Sequence, residues 1–432
     1  LLPFVIYDDP FDIIAHLMVG SEGTLAFLSE VTMKTEHDYP YSASAMLYFS
    51  NIKDACRAVV AMKPGPVFSA ELLDKKSLAS VNDTTGTGLT AVLTETKADT
   101  PEELQANIEE IKKILSPFKT VTPIHFTDKP EEYSKYWAIR SGIFPSVGGT
   151  RRPGTTVLIE DVAFPLKELP AATADLQELL VTNEYHDACI YGHALEGNFH
   201  FIISQSFDSP EQVARYEKLM DEVKTLVVDK YDGSLKAEHG TGRNMAPFVK
   251  YEWGERAYGF MKAVKELFDP KGLLNPGVIF NEDPHCHLKH FKPMPLTNAH
   301  VDKCIECGFC EVNCLTCGFS LSSRQRIVIQ REISRLKKLS DTESSERLKT
   351  LQKQYKYLGN ATCAGDGLCS MSCPMGINVG DLTHDIRQAN LPEKSIGYKT
   401  GDFVANHFAE TKSALRPVLY LANMAHNMLG DK

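Results

Sequence analysis

The chain holds no run of eighteen apolar residues, so no segment of it is expected to span a membrane. It has no excess of basic charge: 46 Lys and Arg against 56 Asp and Glu leave a formal net charge of −10. Nucleic acid is excluded as a partner on that balance, because phosphate contacts need a basic surface. No secretory signal opens the chain. The Gly-x-Gly-x-x-Gly spacing of a dinucleotide fold is missing. An initiating Met is missing too: the start, Leu1-Leu2-Pro3-Phe4, reads as the beginning of a fragment. With 432 residues, 43% of them hydrophobic, there is room for at least two cores.

Against these absences stand 11 cysteines. Seven fall in two runs, Cys304-x2-Cys307-x2-Cys310-x3-Cys314 and Cys363-x5-Cys369-x3-Cys373-Pro374. The first has the bacterial ferredoxin spacing, in which three thiolates hold one [4Fe–4S] cube and the fourth reaches another. The second becomes regular once Asp366 is counted, as Cys363-x2-Asp366-x2-Cys369-x3-Cys373. Cluster I is therefore expected on Cys304, Cys307, Cys310 and Cys373. Cluster II is expected on Cys363, Cys369 and Cys314, with Asp366 either ligating through oxygen or leaving an open iron, as in a [3Fe–4S] centre. Disulfides need an oxidising compartment and belong to small secreted domains. Structural zinc would use paired Cys-x2-Cys and leaves the Cys-x3-Cys ends unexplained. Cys317 is a spare thiol that could replace Cys314, Cys286 reads as a linker thiol, and Cys56 and Cys189 sit in apolar surroundings as packing residues. Clusters of this kind need a reducing interior, which places the protein in the cytoplasm.

Strand-like runs alternate with helical ones between about residues 42 and 280. Ala26–Thr35, Ala43–Phe49, Thr90–Thr96 and Cys189–Phe207 read as strands. Pro101–Leu115, Leu166–Thr182 and Pro210–Lys230 carry apolar residues at helical spacing, with Pro101 and Pro210 at first-turn positions. The pattern predicts an α+β layer, a mostly antiparallel sheet with helices on one face. A proline- and histidine-rich linker follows at 281–300, then the cluster module at 301–390. The middle of that module, Ser322–Gly359, is a charged amphipathic helical pair, so the module is expected to be all-α and ferredoxin-like. The tail, 391–432, holds a helical stretch at Ala414–Leu429. It reads as a docking helix for a further domain, ahead of a peripheral membrane contact.

Two further constellations carry chemistry. In Gly192-His193-Ala194-Leu195-Glu196-Gly197-Asn198-Phe199-His200 the histidines are seven apart. With a turn at Glu196-Gly197 they become a directly opposed cross-strand pair, Cβ atoms roughly 4.5–5.5 Å apart. Glu238, in Ala237-Glu238-His239-Gly240-Thr241-Gly242, supplies a carboxylate. Two imidazoles and one carboxylate with open positions suit catalytic Zn²⁺, Mn²⁺ or Fe²⁺. His239 is the candidate general base. The other constellation, Gly20-Ser21-Glu22-Gly23-Thr24, has small residues and amides that could cradle a cofactor's phosphate or edge.

Taken in order, Val19–Leu25, His193–His200, Glu238–Arg243 and Phe268–Gly277 resemble the FAD-linked oxidases of the vanillyl-alcohol-oxidase type, in their D-2-hydroxyacid dehydrogenase branch. Larger members carry a cluster module behind the flavoprotein. The resemblance implies that residues 1–35 are the end of an FAD-binding domain and 36–280 a substrate and metal domain. It implies FAD contacts at Gly20, Ser21, Glu22, Gly23, Thr24 and Asn275, metal ligands His193, His200 and Glu238, and His239 as base. Trp137-Ala138-Ile139-Arg140 resembles the stretch whose arginine holds the substrate carboxylate, a task suited to a bidentate fork. The activity implied is oxidation of a D-2-hydroxyacid, D-lactate first, with D-2-hydroxyglutarate or glycolate as alternatives, and a quinone, cytochrome or electron-transfer protein as acceptor. Arg151 and Arg152 are open to a second carboxylate or to the surface. Departures from the family pattern are Glu196 for the more usual Asp, and Leu315 for the usual Pro. Rival readings are a non-catalytic electron-transfer subunit and a zinc-stapled interaction protein.

Overall fold

A computed structural model of the chain describes residues 1–81, 83, 85–391 and 395–430. Parts of the expected tail, 392–394 and 431–432, lie outside the described residues. The chain divides into two compact units, Leu1–Cys307 with Gln330–Lys338, and Gly308–Ile329 with Leu339–Lys432.

The first unit is built on six antiparallel strands: β1 (Tyr41–Phe49), β2 (Ser69–Leu73), β3 (Thr90–Ala98), β4 (Thr156–Ala163), β5 (Cys189–His193) and β6 (Asn198–Gln205). Their order across the sheet is β1-β3-β2-β5-β6-β4. Period-two alternation sends Ala45, Leu47 and Phe49 of β1 to one face and Met46 and Tyr48 to the other. The first face meets the helices Ile52–Met62, Leu169–Thr182 and Pro210–Lys224 through Val59, Met62, Leu176, Leu219 and their neighbours. Leu47, Phe49, Met62 and Leu72 are fully buried, each contributing about 1.5–3 kcal/mol by transfer from water. The sequence pattern predicted helices on one face, and this face carries the larger helical layer. A smaller layer covers the opposite face, where Leu78 of Lys75–Ser80 and Ile143 and Val147 of Pro130–Thr150 pack on Met46, Tyr191 and Ile202.

Local chemistry sets the element ends. Thr100 accepts from the Glu103 amide at 3.2 Å and Ser209 from that of Gln212 at 3.4 Å, each just ahead of a first-turn proline. The expected strand Ala26–Thr35 does not form: no described strand pairs with it, and Phe27, Val31 and Met33 stand exposed. Apolar alternation needs a neighbouring ladder to become a strand. The run Cys189–Phe207 is two strands, divided by a tight turn at Ala194–Glu196 and a left-handed Gly197. Two strands, β2 and β4, escaped the pattern reading, as did the helix Pro130–Thr150. An internal Pro145 and paired glycines blur that helix's periodicity, and the adjacent acids Glu160 and Asp161 interrupt β4.

The second unit is helical. It holds the helices Thr342–Tyr355 and Val379–Ala389, the first half of Ser323–Leu336, and the exposed helices Ile396–Asn406 and Phe408–Leu429. Among the described residues no helix is long and apolar enough to cross a membrane.

Candidate metal centre and cluster site

His193 ends β5 and His200 lies in β6, while Glu238 and His239 stand on the loop that follows Ser234. Both imidazoles aim Nε2 at one carboxylate oxygen: Glu238 Oε1 is 3.0 Å from His193 and 3.0 Å from His200. One ligand atom from each of the three lies within 4.8 Å of the others. His239 stacks on His200 with ring centroids 4.5 Å apart, its Nε2 3.7 Å from Glu238.

The register differs from the expected one. β5 and β6 pair Tyr191 with His200, so His193 and His200 are not directly opposed. The loop between the strands runs over residues 194–197, four residues where a two-residue turn at Glu196-Gly197 was expected, and this moves the partner of His200 by two positions. The rings still meet edge to face at 5.6 Å, because 191 and 193 share a face of the strand. Gly192 permits this approach. Its φ is +148°, and a Cβ there would lie 2.8 Å from the Asn198 carbonyl.

Each histidine is backed by a buried carboxylate at Nδ1. Glu71, directly across the β2–β5 ladder from His193, accepts from it at 2.6 Å. Asp161, directly across the β4–β6 ladder from His200, lies 3.2 Å from its Nδ1. The hydrogen bond to Glu71 lifts His193 above the ordinary histidine range. Burial alone would raise Glu71, but His193 and Arg140 together hold it low. Asp161 is likewise opposed by burial, yet His200 and three backbone amides hold its carboxyl down at about 2. Those amides are Ala237, Glu238 and His239, all donating to Oδ2 at 2.6–2.8 Å. Asp161 thus shapes the loop that presents the third candidate ligand and the candidate base. Neither Glu71 nor Asp161 was found by motif. The only signal was an acidic residue inside an otherwise apolar strand.

Arg140 donates Nε to Glu71 at 2.8 Å, and its guanidinium lies over the Tyr191 ring at 4.6 Å. Its two terminal nitrogens have no hydrogen-bond partner among the described residues. Arg151 is differently placed. It donates to the carbonyls of Gly148, Thr155, Asp302, Lys303 and Cys304, so it organises the turn entering the first cysteine run and is not left for a second carboxylate.

The Gly20–Thr24 turn is fastened to the same loop. Glu22, at φ +52°, accepts from the Thr241 amide at 2.5 Å and the Gly242 amide at 2.7 Å. Its carbonyl accepts from Asn275 at 2.7 Å, and Gly20, Ser21 and Thr24 line a cavity of about 170 Å³. Gly20 and Gly23, at φ +74° and +70°, are the other left-handed positions of the turn.

In the second unit Cys314, Cys363, Asp366 and Cys369 line one cavity, together with Thr316 and Arg326. The two cysteine runs have matching backbones. Glu306 and Gly308 are left-handed at +61° and +90°, and Gly365 and Gly367 at +70° and +75°. Asp366 therefore stands in its run where Cys307 stands in the other. Its Oδ1 accepts from the Leu368 amide at 3.1 Å. Of the cluster I set, Cys304 and Cys307 belong to the first unit and Cys310 and Cys373 to the second. Cys56 and Cys189 are buried, and burial pushes the Cys56 thiol up to about 12. Cys286 donates to the Arg243 carbonyl at 3.2 Å, and Cys317 is exposed.

The donor sets fit the groups. Two Nε2 atoms and a carboxylate, with a buried acid beside each Nδ1, match a divalent-metal centre with its outer carboxylates. Three thiols and one carboxylate around a single cavity suit a cluster.

Comparison with known proteins identifies two domains in the chain. Residues 40–279 match the family "FAD linked oxidases, C-terminal domain", and residues 300–377 match the "4Fe-4S dicluster domain". A mitochondrial D-lactate dehydrogenase [cytochrome] of Arabidopsis thaliana is 29% identical over 63% of this chain and 48% of its own length. Glycolate oxidase subunit GlcD of Bacillus subtilis is 25% identical over 62% and 57%. The D-2-hydroxyglutarate dehydrogenase of Stutzerimonas stutzeri is 28% identical over 61% and 58%. The chain spans about half the length of the curated relatives it matches. With more than half of its residues in the match, and its sheet carrying the paired histidines, it belongs to the family of FAD linked oxidases through their C-terminal domain, here followed by a 4Fe-4S dicluster domain.

Proposed function

We propose that this chain is the substrate, metal and electron-relay part of an FAD-dependent D-2-hydroxyacid dehydrogenase, D-lactate being the favoured substrate. The observation that carries the reading is the convergence of His193 and His200 Nε2 on Glu238, with His239 stacked alongside. In this reading residues 1–35 close an FAD-binding domain, 36–280 form the catalytic domain and 301–390 the cluster module, with 281–300 a linker and 391–432 leading to a further domain.

His193, His200 and Glu238 hold a divalent ion. Gly20, Ser21, Glu22, Gly23, Thr24 and Asn275 contribute to the FAD site. Cys304, Cys307, Cys310 and Cys373 hold one cluster, and Cys314, Cys363, Cys369 and Asp366 the other. When bound, these groups supply a Lewis acid for the hydroxyl, a hydride acceptor and one-electron carriers.

The protein's own part is positioning and proton transfer. The free terminal nitrogens of Arg140 receive the substrate carboxylate as a bidentate pair. Glu71 fixes Arg140 and His193 at once, and so ties the carboxylate receptor to the proposed metal ligand. His239 takes the hydroxyl proton, held in place through its amide by Asp161. With Arg151 engaged on carbonyls and Arg152 exposed, this pair offers no buried receptor for a second carboxylate, which favours a monocarboxylate over D-2-hydroxyglutarate. The acceptor is of the quinone or cytochrome type. A reducing compartment suits the clusters, which favours the cytoplasm, at the inner face of its membrane.

The test is flavin reduction by D-lactate, glycolate and D-2-hydroxyglutarate in the complete protein, with His239→Ala alongside. Reduction by one of them that falls at least a hundredfold in the variant supports the reading. No reduction by any 2-hydroxyacid removes it. The rival, an electron-transfer subunit without catalysis, would show clusters but no divalent ion on the histidines.

A further inference from the structure

Arg326 is one of the largest fully buried side chains in the protein, 1% exposed. Its guanidinium donates Nε to the Gly359 carbonyl at 2.6 Å and one terminal nitrogen to the Thr316 and Thr362 hydroxyls at 3.0 and 3.1 Å. The other terminal nitrogen points at Cys314 Sγ, 3.7 Å away. All these partners are neutral or a thiol. No carboxylate pairs with Arg326 among the described residues.

Neighbouring arginines behave otherwise. Arg324 is paired with Glu311 at 3.1 Å and Arg331 with Glu306 at 2.6 Å. A guanidinium cannot shed its proton, so burial without an anion leaves a full uncompensated charge. Buried arginine is almost never left so. The counter-anion must come from the cavity that Arg326 lines with Cys314, Cys363, Cys369 and Asp366.

A cubane on thiolates and a carboxylate is net negative when oxidised and gains one further negative charge on one-electron reduction. A fixed cation beside it stabilises the reduced state more than the oxidised one. Hydrogen bonds to the sulfurs and net charge are among the determinants of cluster potential.

We propose that Arg326 is the built-in counter-cation of cluster II: by donating to the Cys314 thiolate from a buried site, it raises the cluster's reduction potential and favours electron arrival there. This rests on the reading of Cys314, Cys363 and Cys369 as ligands. Arg326 is a positioning and potential-setting residue; the hydroxyls of Thr316 and Thr362 hold its plane.

The experiment is a dithionite titration, with redox mediators, of the complete anaerobically purified protein, following cluster II by electron paramagnetic resonance. If the unaltered protein shows only one cluster by iron, sulfide and spectrum, the ligand assignment fails. If it shows two, Arg326→Gln is expected to lower the cluster II midpoint by a tenfold or greater change in the reduced-to-oxidised ratio, ~59 mV for one electron. Arg326→Lys, which keeps the charge, is expected to recover most of it. A cluster II that assembles in Arg326→Gln with an unchanged midpoint overturns the proposal. Should that variant lose the cluster, the double variant Thr316→Val with Thr362→Val decides, since it releases the guanidinium without adding a charge. A shifted cluster II midpoint supports the proposal, and an unchanged one overturns it.

Discussion

Glu71 and His193 occupy facing rungs of β2 and β5, and their side chains meet at 2.6 Å. The other oxygen of the same carboxylate holds Arg140 at 2.8 Å. One buried acid thus couples a candidate metal ligand to the candidate carboxylate receptor.

Glu71→Gln keeps the shape and removes the charge. Outer carboxylates of this kind are worth ten- to a hundredfold in metal affinity. Calorimetric titration of the chelator-stripped protein with Zn²⁺ or Mn²⁺ should show a loss of about tenfold or more. Equal affinity in the two proteins would refute the coupling.

Asp161→Asn strikes the loop. A single carboxylate oxygen that accepts three amides cannot be matched by an amide oxygen, so the segment from Ala237 to His239 should loosen. Hydrogen bonds to a charged group are worth about 1.5–3 kcal/mol. We expect a loss of that order in urea unfolding, with weaker metal binding. Faster amide exchange confined to 237–239 would be the local signature.

Glu160 is the pH-sensitive neighbour. Burial is the largest influence and pushes its carboxyl up to about 8, although Asn244 donates to it at 2.6 Å. The folded state therefore binds a proton that the unfolded chain has released, and stability declines as pH rises from about 4.5 to 8. Glu160→Gln should flatten that decline and be the more stable protein at pH 8.5, by about 1 kcal/mol or more. Melting temperatures across this range check it; parallel curves for the two proteins would count against a proton on Glu160.

Gly192→Ala should be costly. The position combines φ +148° with a backbone oxygen 2.8 Å from the added Cβ. A loss of about 1–3 kcal/mol is expected from backbone strain alone, with metal binding weakened as β5 moves off β6. Wild-type stability would show that the close approach is not needed.

Asp366→Cys tests the second cysteine run. Completing a fourth thiolate should change the spectrum of cluster II while flavin reduction by substrate is kept. An unaltered electron paramagnetic resonance spectrum would dismiss Asp366 as a ligand.

Much of the site could be read before the fold. Glycine-flanked histidines and a downstream Glu-His pair marked His193, His200, Glu238 and His239, since such small neighbours permit close approach. The two ladders could not be read. Turn geometry, not residue type, decided that Tyr191 and not His193 faces His200. Glu71 and Asp161 were silent because their partners lie 122 and 77 residues away, and a buried acid in a strand looks like a solvent-facing one. Ala26–Thr35 failed for the converse reason: its local pattern is right, but a strand is a property of two segments.

The line of Glu71, His193, His200 and Asp161 runs across four adjacent strands, β2, β5, β6 and β4. A slip of one residue in any of those three pairings would turn a side chain of the set to the opposite face. Competence to hold the ion is therefore a check on strand alignment. On the proposed metal reading, an ion captured during folding would favour the correctly aligned sheet over its near misses, a proof-reader for the topology that creates its site.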